Sequence, residues 1–147
     1  MMNNKGLTLV ELIVVTAIMG ILLTMGTLGY RSLMLKADVE SDTRQILSFT
    51  NTARQYSFTR KENLAVVVNG RQISVVDADG DVYDNFTLTV RTPFVTDDNI
   101  AFSGGFTVSQ GMIRSDLENM KAEYDCVLYE ANRVKAGKYD GENCNAR

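Results

Sequence analysis

The sequence predicts an α+β fold, with one long N-terminal helix laid against an antiparallel β-sheet. Two observations carry the prediction. From Leu7 to Gly29 the chain holds a single charged residue, Glu11, and from Tyr30 to about Arg60 its apolar residues keep helical spacing. After Leu64 the period switches to two, with strand-forming stretches divided by Asn, Asp and Gly.

The first half of the helix reads as a membrane segment. A helix of about 20 apolar residues crosses a bilayer core. A carboxylate at mid-membrane costs on the order of 3 kcal/mol, so Glu11 requires a partner. If the chain is cut after Gly6, the new α-amine lies on Leu7, four residues before Glu11, and one helical turn joins the two charges. An ordinary secretory signal would account for Lys5 and an apolar core, but this run is long, carries Glu11 and lacks an A-x-A site. A plain single-span anchor explains the length and gives no reason for Gly6 or Glu11.

The second half is amphipathic. Leu35, Val39, Ile46, Phe49, Ala53 and Tyr56 form the expected packing stripe, with Asp42 its polar interruption. The helix is expected to end between Arg60 and Asn63. Next come a strand over Leu64–Val68, a two-residue Asn69-Gly70 hairpin turn and a strand over Arg71–Val76. Asp77-Ala78-Asp79-Gly80-Asp81 reads as a turn. Calcium is the alternative there, although Leu88 stands where an EF-hand needs Glu and strands flank the segment. Phe86–Val90 is the third strand, which Pro93 is expected to stop. Asn99–Phe102 and Phe106–Ser109 flank a Gly104-Gly105 turn, and Gly111 is expected to end that unit. Ser115–Lys121 is a helical turn or a polar loop. Cys126–Tyr129 and the stretch after Asn132 supply the last strands.

Composition narrows the function. The 147-residue chain has a formal charge of −3 and no His. Losing Lys5 with residues 1–6 would take the charge to about −4, which argues against a general polyanion binder. No nucleophile–base pair, phosphate loop or metal cluster is evident, so neither catalysis, a metal nor a cofactor is expected. In an exported domain, Cys126 and Cys144 read as one disulfide. It closes a loop of about 19 residues, for roughly 3 kcal/mol in the chain-entropy model.

The run Gly6-Leu7-Thr8-Leu9-Val10-Glu11-Leu12 resembles the type IV prepilin signal. In that family a peptidase cuts after the Gly and methylates the new N-terminus, and subunits assemble through their N-terminal helices. The resemblance implies cleavage between Gly6 and Leu7, N-methylation of Leu7 and an assembly role for Glu11. Leu7 stands where the family usually has Phe. The implied organisation is a leader over 1–6, a transmembrane and filament-core helix over 7–29, and a soluble pilin-like domain over 30–147. Gly20, Gly26 and Gly29 allow either close helix approach or local melting, and the resemblance favours melting.

Asn51-Thr52-Ala53-Arg54-Gln55, Phe102-Ser103-Gly104-Gly105 and Asn132-Arg133-Val134-Lys135 resemble looser motifs of minor pilins and pseudopilins of the GspH/FimT type, where Asn132 replaces a frequent Gly. This implies a minor subunit of a type IV pilus or a type II secretion pseudopilus. Its implied partners are other pilins or pseudopilins, the prepilin peptidase and the inner membrane, with the soluble domain in the periplasm. The alternative is a DNA-capturing minor pilin. Arg133, Lys135, Lys138 and Arg147 would then contact phosphates, diluted by Glu130, Asp140 and Glu142.

Overall fold

Helix α1 spans Leu9–Arg60 in the computed structural model, which describes residues 8–117, 122–130 and 133–146, without the side chains of 25–28. Thr8 caps it, its hydroxyl accepting the Glu11 backbone N–H at 3.3 Å. Lys61 follows the last turn with φ +57°, the left-handed conformation that ends helices. The backbone is helical through Gly20, Gly26 and Gly29. The chain divides into two units, one reaching Leu35 and one beginning at Lys36.

In the second unit α1 buries Val39, Asp42, Thr43, Ile46, Phe49, Thr50, Ala53 and Ser57. That stripe differs from the expected one at both ends. Leu35 is 42% exposed and Tyr56 38%. Tyr56 instead meets Phe86 edge-on at 5.6 Å between ring centroids. Polar residues fill half of the stripe, and Asp42 is fully buried.

Among the described residues, eight antiparallel strands form one sheet, in the order β4-β3-β1-β2-β5-β6-β7-β8. They are β1 (Leu64–Val76), β2 (Val82–Thr96), β3 (Ile100–Ser103), β4 (Phe106–Thr107), β5 (Gly111–Ser115), β6 (Cys126–Glu130), β7 (Arg133–Tyr139) and β8 (Cys144–Ala146). Ile46, Phe49 and Ala53 of the helix share a core with Val66, Ile73, Val75, Phe94, Phe102, Ile113, Val127 and Tyr129 of the sheet.

Four expectations are corrected. Asn69-Gly70 is not a hairpin turn. A type I′ turn needs positive φ at both central residues, and here only Gly70 has it, at +61°. Strand β1 continues through it with a register shift between Gly70 and Gln72, so Gly70 marks a bulge. There β1 exchanges neighbours, its start pairing with β3 (Leu64↔Phe102) and its end with β2 (Ile73↔Leu88). The hairpin joining β1 to β2 closes instead at Asp77–Asp81. The Asp77 carboxylate accepts the N–H groups of Asp79 and Asp81, both at 3.0 Å.

Pro93 does not stop β2, because it falls in a second bulge. The register passes from Gln72↔Thr89 to Gly70↔Phe94, so residues 90–93 face no β1 ladder partner. Pro93 has no N–H to satisfy. The N–H groups of Arg91 and Thr92 donate to the Asp42 carboxylate at 3.0 and 2.8 Å, and the Thr92 hydroxyl donates at 2.8 Å. Beyond Pro93, β2 pairs with β5 (Phe94↔Ser115). Gly111 opens β5 rather than ending the preceding unit, and a side chain there would collide with Tyr129. Ser115, expected to begin a helical turn or polar loop, is the last residue of that strand. Of the expected Ser115–Lys121 helical turn or loop, residues 118–121 lie outside the described residues.

The glycine-turn pair is present as expected. Gly104 and Gly105 have φ +57° and +83°, and Ser103 pairs with Phe106 across them.

Asp42→Ala is expected to destabilise the protein by about 3 kcal/mol, because it strands buried backbone donors, while Asp42→Asn keeps an acceptor and costs about 1 kcal/mol. Urea unfolding of the detergent-solubilised chain, followed by tyrosine fluorescence, measures both.

Candidate functional site

Two regions hold the residues singled out by sequence. The first is the N-terminal part of α1. Gly6 and Leu7 lie outside the described residues, the first of which is Thr8. Glu11 is the third residue of α1, where a negative charge is favoured by the helix dipole. Thr8 and Glu11 stand at capping-box spacing, and the hydrogen bond from the Glu11 N–H to Thr8 Oγ1 forms one half of that arrangement.

Apolar side chains leave this helix in every direction. Leu9, Val10, Leu12, Ile13, Ile18, Met19, Leu22 and Leu23 are all more than half exposed. An 18-residue window has mean hydropathy 2.3 and none of it is buried within the chain. A helix that is apolar all round is stable only in lipid or among other helices. The apolar surface continues past the expected boundary at residue 29, through Tyr30, Leu33, Met34 and Leu35.

The second region is the C-terminal end of the sheet. Cys126 and Cys144 are joined by a disulfide. Beside it, Asp125 is nearly buried and gathers its neighbours. Its carboxylate accepts the Tyr139 N–H at 2.6 Å and pairs with the Lys138 ammonium. Alternation along β7 puts Arg133 and Lys135 on one face and Lys138 on the other. Arg133 lies directly across from Glu130. Arg147 and Asn132 lie outside the described residues. Thus Arg133 and Lys135 come together, and Lys138 serves the fold at Asp125.

Two titratable groups here are shifted. The N–H groups of Asn143 and Glu142 and the Asn145 amide hold the Asp140 carboxyl below its usual range. Burial raises the Tyr129 phenol, whose O–H donates to the Asp98 carbonyl at 3.0 Å.

The structure also joins two of the loose motifs. Arg54 Nε donates to the Gly105 carbonyl at 2.6 Å, and the Gly105 N–H donates to the Ser57 hydroxyl at 3.4 Å. A Cβ at Gly105 would come within 2.6 Å of Phe58 Cβ, so only glycine allows this approach. Sequence reasoning missed this contact, as it missed the acceptor role of Asp42. A charged residue in an apolar stripe was the available signal for Asp42. For Arg54 there was none beyond the motif.

Residues 1–27 match the family described as the prokaryotic N-terminal methylation motif. No curated protein and no solved structure matches the chain.

Lys138→Ala is expected to cost about 2 kcal/mol by leaving a buried carboxylate short of its charged partner, whereas Lys135→Ala stays within about 0.5 kcal/mol. Thermal unfolding of the two variants separates the structural lysine from the surface one.

Proposed function

We propose that this type IV prepilin-like chain is a minor subunit of a type IV filament, either a pilus or a type II secretion pseudopilus. The methylation motif and the apolar helix support a pilin-like protein that a prepilin peptidase processes, that assembles with other pilins and that is anchored in the inner membrane. The observation that carries the reading is this motif at the head of a helix exposed and apolar on every side. Such a surface is satisfied first by lipid and then by neighbouring helices.

In this reading the soluble unit faces the periplasm before assembly. The peptidase cuts between Gly6 and Leu7 and methylates Leu7. Glu11 sets register by pairing its carboxylate with the N-terminal ammonium of a neighbouring subunit. The assignment as a minor subunit of the GspH/FimT type draws support from the Arg54–Gly105 contact, which unites two motifs of that resemblance. The protein acts by assembly and has no catalytic role, metal or cofactor. DNA capture has weaker support, since Lys138 is engaged by Asp125 and leaves Arg133 and Lys135 as the described basic pair.

Intact mass and N-terminal sequence of the protein recovered from membranes test the processing. The expected product starts at Leu7 and carries one extra methyl group. A Met1 start would reduce the protein to a single-span anchored domain. Glu11→Ala is expected to remain inserted and cleaved yet fail to enter filaments, read as loss from the sheared filament fraction. Normal incorporation of that variant would remove the register role from Glu11.

A further inference from the structure

We infer that Tyr56, Tyr83 and Phe86, with the Asp84 carboxylate beside them, form an aromatic cage for a small, freely diffusing methylated ammonium compound of the choline class. The site goes beyond the filament reading and does not depend on it.

Strand β2 is distorted to build the cage. Its register passes from Val76↔Val82 to Ser74↔Thr87, so residues 83–86 stand opposite Val75 alone. Tyr83 and Phe86 are three positions apart, and regular alternation would send their rings to opposite faces of the sheet. Between them Asp84 and Asn85 take φ +49° and +55°. Asp and Asn tolerate that left-handed conformation better than most side chains, yet it remains costly for two residues in a row. Its result is that both rings line one pocket of about 70 Å³, together with Tyr56 and Asp84. Phe86 also packs on the core residue Phe49 at 4.5 Å between ring centroids, and meets Tyr56 edge-on. The volume is several times what one water needs, which suits a trimethylammonium head.

The chemistry of the walls names the ligand. Aromatic faces attract cations, and cages of such faces recognise quaternary ammonium groups. These rings already hold a cation of their own chain. The Arg60 guanidinium lies 5.6 Å from the Tyr56 centroid and 5.7 Å from that of Tyr83, and donates to the Tyr83 hydroxyl at 2.9 Å. Arg60 itself does not line the pocket. The Glu62 carboxylate accepts the Tyr83 O–H and raises that phenol above its usual range. Glu62 and Asp84 together outweigh Arg60, so the local field favours a further cation. A primary ammonium brings three N–H donors, most of which ring faces leave unsatisfied, whereas a fully methylated one brings none. The same two carboxylates repel a phosphate, which favours a free cation over a phosphocholine headgroup.

Equilibrium dialysis of isotope-labelled choline against the full-length chain in an uncharged maltoside micelle tests the site. Saturable binding in the millimolar range is expected. The uncharged isostere, in which a tert-butyl group replaces the trimethylammonium head, should compete about tenfold less well. Glycerophosphocholine should compete about threefold less well. Tyr56→Leu should weaken binding by about tenfold. Asp84→Asn keeps a residue that accepts the left-handed conformation. It should weaken binding by about threefold while leaving the Cys126–Cys144 disulfide and the thermal midpoint unchanged. Absence of saturable binding, equal competition by the uncharged isostere, or unchanged affinity in either variant would overturn the inference. Equal competition by glycerophosphocholine would overturn the free source in favour of a lipid headgroup. The Leu7 start and filament entry are measured separately, so the filament reading stands or falls on its own.

Discussion

A single buried carboxylate joins the helix to the sheet. Strand β2 begins as the partner of β1 and ends as the partner of β5, and between those roles residues 90–93 leave the ladder. Buried backbone N–H groups require acceptors. One oxygen of Asp42, Oδ2, accepts the N–H groups of Arg91 and Thr92 and the Thr92 hydroxyl as well. Pro93 lacks a donor altogether, and its carbonyl accepts the Asp116 N–H at 3.0 Å. The switch in pairing that lets β5 to β8 extend the sheet thus depends on a polar residue inside the helix's apolar stripe. Asp38 stands one turn earlier and holds the Arg91 guanidinium at 2.7 Å, though that pair is largely exposed and contributes little.

One helix serves two solvents. Its first unit shows apolar side chains on all sides, and its second confines burial to one stripe. Isolated helices are marginal in water, and packing of one face supplies most of their stability in proteins. The second unit obtains that support from its own sheet. The first has no such support among the described residues, where none of its most apolar 18-residue window is buried, and it is the part of the helix that the N-terminal methylation motif covers through residue 27.

The far end of the sheet is held by a different economy of contacts. Strands β6, β7 and β8 contribute few residues to the common core. They are tied by the Cys126–Cys144 disulfide, by Asp125 with Lys138 and Tyr139, and by the Asp140 carboxylate across its turn.

The sequence by itself determined the elements whose cause is local. The long helix was legible because a run with one charge and a following amphipathic stripe have no other economical reading. The Gly104-Gly105 hairpin was legible because both glycines take positive φ. The Cys126–Cys144 pair was legible because these are the chain's two cysteines in a domain read as exported. Gly6, Leu7 and Glu11 could be singled out because a motif read in order along the chain needs no tertiary information. Only the tertiary structure decided what depends on partners distant in sequence. Gly70 makes a bulge and not a turn, because β1 has different neighbours on either side of it. Pro93 lies inside a strand, because Asp42, some fifty residues away, satisfies the donors beside it. Lys138 leaves the basic cluster, because Asp125 faces it across the sheet. In each case the residue's intrinsic preference was read correctly, and long-range hydrogen bonding chose among the conformations that preference allowed.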